Sequence, residues 1–208
     1  MLEHGRMLEH RHPLDQLAAP QLRSGPELRL VPVTRRGLLL IQARSAGSSI
    51  ESILHRTLGL QLPAPLKTER GEHAAILWLG PREWLLELPR AATLSAYTHL
   101  QECFARSRAS SPGESSAPLG GVIDVSDAFA GIDVSGTRAV DVLKSGCSLD
   151  LEPQSFAVGD TARTALAEVP AILWRLTETP GPGLYRCWVE RGFATHLAHW
   201  LAEAPAGW

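Results

Sequence analysis

The chain of 208 residues is 44% hydrophobic and 20% charged with a formal net charge of −2, which marks a soluble globular protein large enough to bury a core and excludes a disordered class. A near-neutral charge argues against an obligate nucleic-acid partner, which calls for a basic excess to neutralise phosphates. Cys103, Cys147 and Cys187 lie 44 and 40 residues apart without a C-x-x-C, a poor framework for disulfides or zinc, so the expected setting is the reducing cytoplasm. All basic residues except Lys67 and Lys144 are arginine, which suits bidentate pairing but is also explained by coding bias alongside abundant Ala, Gly and Pro.

Residues 1–27 read as a flexible polar arm. MLEH occurs at Met1 and again at Met7, either of which could be the start, and His4, His10 and His12 have no carboxylate partner or scaffold that would make them a metal site. The segment lacks the apolar core of a signal peptide, and no run approaches a membrane span. Leu28–Val33 and Leu38–Ile41 read as strands around a turn-like Thr34-Arg35-Arg36-Gly37. Ser48-Ser49-Ile50-Glu51 has capping-box spacing. Behind it Ile50, Ile53, Leu54, Thr57 and Leu58 share a helical face, and Gly59 supplies the left-handed stop. A polar loop runs to His73. Ala75 to Leu88, AILWLGPREWLLEL, then reads as a hairpin turning at Gly80-Pro81-Arg82-Glu83, with Pro81 presetting the first corner φ. Leu94, Tyr97, Leu100 and Phe104 line a second amphipathic helix.

Residues 107–118, SRASSPGESSAP, form a Ser/Pro linker. Past it the order of elements repeats. Gly121–Val125 and Ala130–Val134 are expected strands, Ser135 a helix cap, and Gly146 a helix stop; Ser48 to Gly59 and Ser135 to Gly146 both span 11 residues. AILW returns at Ala171–Trp174, 96 residues after its first occurrence, followed by a Pro/Gly turn and the apolar run Tyr185–Val189. Phe193, Leu197, Trp200 and Leu201 line a last helix. The pattern predicts an α+β fold of two ferredoxin-like strand-helix-hairpin-helix halves, 28–106 and 119–208, sharing a core.

Chemistry is harder to find. Phosphate-loop, dinucleotide, serine-elbow and zinc-protease fingerprints are all missing from the sequence. Asp124-Val125-Ser126-Asp127 could supply paired carboxylates for acid–base work or for orienting a pterin or amine, against the reading favoured here, an Asx-type turn between two strands. Cys147 follows a helix C-terminus, the wrong end to stabilise a thiolate, and reads as a buried structural cysteine. His196 and His199 share a helical face but lack a third ligand. Four tryptophans, Trp78, Trp84, Trp174 and Trp188, fall in the two hairpins, where core packing competes with a Trp/Arg-rich protein interface.

Three blocks resemble a known family: LWLGPREWLL at Leu77–Leu86, IDVSDAFAGIDVSG at Ile123–Gly136 and GCSLDLEPQSFAVGDTART at Gly146–Thr164. With the closing RGFATHLAHWL, Arg191–Leu201, they are similar to the γ subunit of heterotetrameric sarcosine oxidase, and the first block also occurs in the related glycine cleavage T protein. The resemblance implies an α, β, γ, δ assembly that oxidatively demethylates sarcosine, with a folate-binding aminomethyltransferase fold in γ. It also implies that the cofactors, namely flavins, NAD, tetrahydrofolate and zinc, sit on partner chains. It carries over no catalytic or cofactor residue, and leaves Trp84 and Arg163 as candidate partner contacts. A free-standing folate-binding one-carbon transferase and a small-molecule sensor remain as alternatives.

Overall fold

Strands form where apolar residues run between turn signals, and in this chain the inner strands of each sheet are buried on both faces while the edge strands are partly exposed. The computed structural model describes residues 13–14, 25–43, 48–109, 120–177 and 183–204. In order the elements are β1 (Arg29–Val33), β2 (Arg36–Ala43), α1 (Ser48–Leu58), β3 (Thr68–Arg70), β4 (Ala75–Gly80), β5 (Glu83–Pro89) and α2 (Arg90–Ala109). The second half follows with β6 (Gly120–Asp124), β7 (Phe129–Ser135), α3 (Ala139–Gly146), β8 (Thr161–Leu166), β9 (Val169–Thr177), β10 (Leu184–Glu190), a 3-10 turn at Arg191–Phe193 and α4 (Ala194–Glu203).

Two antiparallel five-stranded sheets result, β6-β2-β5-β4-β3 and β1-β7-β10-β9-β8. Each half builds four strands of one sheet and lends its first strand to the edge of the other. Three apolar layers hold this arrangement. Ile50, Ile53, Leu54, Leu100 and Phe104 cover the outer face of the first sheet over Ile41, Trp84 and Leu86. Val142, Leu143, Leu197 and Leu201 cover the second over Ile132, Val134 and Tyr185. Leu38, Leu77, Leu85, Ile172, Trp174 and Trp188 interdigitate between the sheets. Each fully buried side chain of this size contributes about 1.5–3 kcal/mol relative to exposure, so the shared middle layer is a major part of the stability of both halves. The α+β class and the two-half plan are as the sequence predicts.

Several local expectations need correction. Thr34–Gly37 does not turn a hairpin: β1 pairs with β7 and β2 with β5 and β6, so this segment crosses between sheets. The same is true of 125–128, between β6 and β7. The two crossings are closed alike, the Arg90 amide donating to the Arg35 carbonyl at 2.8 Å and the Arg191 amide to Ala128 at 2.7 Å. Ser135 is no cap, being the last residue of β7; α3 begins after Arg138 with no side-chain cap. Gly146 is the last residue of α3, and its hydrogen makes room for a tryptophan, since a Cβ there would lie 2.4 Å from the Trp200 ring. Gly59 does take φ +67° and donates to His55, stopping α1 as expected.

Helix α2 is out of phase with the sequence reading. Leu100 and Phe104 are buried, but Leu94 is 74% exposed, and Thr93 takes the place facing the sheet. Gly37 permits this, because a Cβ on it would come within 1.8 Å of the Thr93 hydroxyl. The helix also runs to Ala109, three residues past the expected boundary at 106. β3 and β8 have no counterpart in the sequence reading. The first is three polar residues, and the second, TARTAL, is built mostly of small and polar residues without a clear period of two. Within the expected flexible arm 1–27, Leu14 is buried in the core of the second half, while residues 1–12 and 15–24, the linker from 110 to 118, the Pro/Gly turn before β10 and the side chains of Ser48 and Ser49 in the capping box lie outside the described residues.

Candidate functional site

The Asp124–Asp127 corner is a structural joint. Asp124 Oδ1 accepts the Ser126 amide at 2.9 Å and the Ser126 hydroxyl at 2.5 Å, an Asx turn. The Ser126 hydroxyl oxygen in turn accepts the Leu38 amide at 3.0 Å. Asp127 receives the Arg90 guanidinium on both oxygens, at 3.1 and 3.2 Å. Both carboxylates are therefore engaged in pinning the crossing between sheets to β2 and to the start of α2.

The other candidates are likewise occupied. Cys147 is buried with its Sγ 3.5 Å from Thr164 Oγ1. His196 Nε2 meets the Ala167 carbonyl at 3.0 Å, and His199 is exposed on the same helix. Among the described residues no group of His, Cys, Asp and Glu is arranged to hold a metal ion. Trp84, Trp174 and Trp188 are core residues, 4%, 2% and 3% exposed. Trp84 therefore offers no surface to a partner in this fold, because its strand turns it towards α1 and α2. Arg163 lies on the edge strand β8 and is about half exposed, its guanidinium donating to Glu83 at the start of β5 in the other sheet at 2.6 Å.

A polar cluster that the sequence reading missed lies in the apolar layer between the sheets. Glu87 is fully buried on β5, and its Oε1 accepts from Arg36 at 2.7 Å and from Arg186 at 2.5 Å. Arg186 comes from β10 of the other sheet and grips both oxygens of Asp133 at 2.7 and 2.8 Å. Its guanidinium carbon lies 5.9 Å from the ring centroids of Trp174 and of Trp188, two cation–π contacts. Burial opposes the Arg186 charge, yet the hydrogen bonds to Asp133 and the charges of Glu87 and Asp133 outweigh it and hold its pKa above the ordinary value. On the opposite, helix-covered face of the second sheet, Arg175 donates to the Phe156 carbonyl at 2.7 Å and lies against Tyr185. Burial pushes the Tyr185 phenol up despite that arginine, and pushes the Cys187 thiol up further, so both stay neutral. A signal for Glu87 was present. In EWLLELP every second residue from Trp84 is apolar, and so is Leu85, which leaves one carboxylate in phase with a buried position and in need of a cation.

The arrangement locks two sheets together through charge, and the fold places the chain in a definite structural class. The glycine cleavage system aminomethyltransferase T from Bartonella henselae superposes with a TM-score of 0.58 at 13% identity, over 88% of this chain and 47% of that one. The class is thus the two-sheet α+β fold of the aminomethyltransferases. Sequence and structure then narrow it. A model of the sarcosine oxidase, gamma subunit family matches residues 42–207. The sarcosine oxidase subunit gamma of Arthrobacter sp. is 34% identical over 164 residues, 76% of this chain and 70% of that protein. The corresponding subunit of Corynebacterium sp. strain P-1 is 32% identical over 160 residues, with the same coverage. Heterotetrameric sarcosine oxidase from Corynebacterium sp. U-96, solved with pyrrole 2-carboxylate, contains a chain that superposes with a TM-score of 0.78 at 29% identity over 94% of both chains. The chain belongs to the sarcosine oxidase, gamma subunit family. No helix among the described residues is long and apolar enough to cross a membrane.

Proposed function

We propose that this chain is the noncatalytic structural γ subunit of a heterotetrameric sarcosine oxidase, assembled with α, β and δ chains in the cytoplasm. The complex oxidatively demethylates sarcosine to glycine, forms peroxide and passes the one-carbon unit to tetrahydrofolate, with flavins, NAD, tetrahydrofolate and zinc on the partner chains. The match to a chain of a solved heterotetrameric oxidase over 94% of both lengths carries this reading. It is supported by how this chain spends its polar residues: Asp124, Asp127, Glu87, Asp133 and Arg186 are all committed to joining sheets. Arg163 is the surface residue proposed to meet a partner chain.

Affinity capture of the tagged chain from its native cells tests the reading. The expected eluate is yellow, contains larger chains and makes peroxide when given sarcosine, whereas the chain expressed alone is colourless. Arg163→Ala should lower recovery of the larger chains. The shared fold with aminomethyltransferase T supports a second reading, a stand-alone folate-binding one-carbon transferase-like protein. A colourless, single-chain eluate that tetrahydrofolate protects against heat would establish that reading and overturn the first.

A further inference from the structure

The layer between the two sheets carries a polar row as well as its apolar residues. Thr161, Trp174, Arg186, Asp133 and Val31 stand directly opposite one another in register on β8, β9, β10, β7 and β1. Directly paired residues point to the same face of an antiparallel sheet, so these side chains line up across the second sheet on the face that Trp174 turns to the first. The facing sheet adds Glu87, Arg36 and, opposite Leu77 near its edge, Thr68. At the Thr161 end the row is fully buried. It reaches solvent at the other end, where the Asp133 and Arg36 side chains are 19% and 28% exposed.

Hydrogen bonding in this layer is incomplete within the protein. Trp174 Nε1, Trp188 Nε1, Glu87 Oε2, Thr68 Oγ1 and Thr161 Oγ1 are all buried and have no hydrogen-bond partner among the described residues. The other buried atoms in that condition lie elsewhere, Thr57 Oγ1 on α1 and Trp84 Nε1 and Arg175 Nε on the helix-covered faces. Arg186 cannot relieve the indoles, because a guanidinium only donates. Its nitrogens go to Asp133 and Glu87, and at 5.9 Å from both ring centroids it stands at the outer limit of cation–π contact. Buried donors and acceptors left unmatched in such number would consume a large share of a domain's net stability.

We propose that ordered water molecules are bound along this row, accepting from the Trp174 and Trp188 indoles and donating to Glu87 Oε2, with the Thr68 and Thr161 hydroxyls as further partners. The unmatched atoms comprise obligate donors, a carboxylate acceptor and hydroxyls that can act as either. A single small molecule that both donates and accepts serves them all. Charge selects a neutral occupant, since Arg36 and Arg186 balance Glu87 and Asp133 and leave no net charge for an ion to meet. The open end of the row beside Asp133 and Arg36 gives water its way in. The bound water completes the hydrogen bonding of the joint that both halves share.

Thr161→Val in the full chain is the first test, because valine keeps the shape of threonine and loses the hydroxyl. A buried hydroxyl with no partner gains when it becomes a methyl group, whereas one bonded to water leaves that water a bond short. Thr161→Val should therefore lower the thermal midpoint by about 2–4 °C, and Thr68→Val should act in the same direction. Rotating-frame cross-relaxation on the isotope-labelled full chain is the second measurement. The indole protons of Trp174 and Trp188, assigned through Trp174→Phe and Trp188→Phe, should both show contacts to water, which differ in sign from proton exchange. Indole protons silent to water overturn the proposal, and so do valine variants at least as stable as wild type at both positions. A chloride or metal ion beside Glu87, identified by anomalous scattering from crystals of the full chain, would also overturn it.

Discussion

Glu87 illustrates how a single residue can join two halves of a molecule. Its carboxylate is fully buried, accepts from arginines on two different sheets, and has its second oxygen without a hydrogen-bond partner among the described residues. Replacing such an ion cluster with apolar residues need not destabilise a protein, but removing one member leaves the others charged and unpaired. Glu87→Ala should therefore cost about 3–5 kcal/mol in urea-induced unfolding, and Glu87→Gln, which still accepts from a guanidinium, clearly less. Equal losses for the two would show that charge pairing is not what Glu87 supplies. That Glu87 shares a strand face with the apolar Leu85 was legible from the two-residue period. Its partners were not, because Arg36, Asp133 and Arg186 are 51, 46 and 99 residues away in sequence and nothing local marks them.

At the scale of elements, periodicity served well where a segment packs against one surface and failed where another element sets its rotation. Helix α1 buries Ile50, Ile53 and Leu54 as its spacing implies. Helix α2 does not follow its most apolar stripe, since Gly37 admits Thr93 and so turns Leu94 out to solvent. Gly146 makes a similar point about glycine. The sequence suggests a helix stop, yet the residue is helical and serves the close approach of Trp200 from α4. Gly146→Ala, ordinarily favourable within a helix, should here destabilise by about 1–3 kcal/mol through overpacking, read as a lower midpoint in chemical denaturation. Truncating Trp200 in the same chain should remove most of that penalty; if the penalty persists, the packing account is wrong.

For the whole molecule, the decisive feature is the exchange of β1 and β6. Each sheet is completed by a strand from the other half, and the layer of Leu38, Leu77, Ile172, Trp174 and Trp188 belongs to both. Fragments cut between residues 112 and 113 should each be unfolded alone by circular dichroism and regain native spectra when mixed or co-expressed. Two fragments that fold independently would mean that the exchanged strands contribute little. The sequence alone determined the repeated plan, the hairpins, most helix faces and the family, because these depend on local periodicity and on blocks of contiguous residues. Only the tertiary structure decided which sheet β1 and β6 join and which charges are buried. Those outcomes depend on contacts between residues distant in the chain, and a strand pattern of period two specifies a buried face without naming the sheet that will bury it.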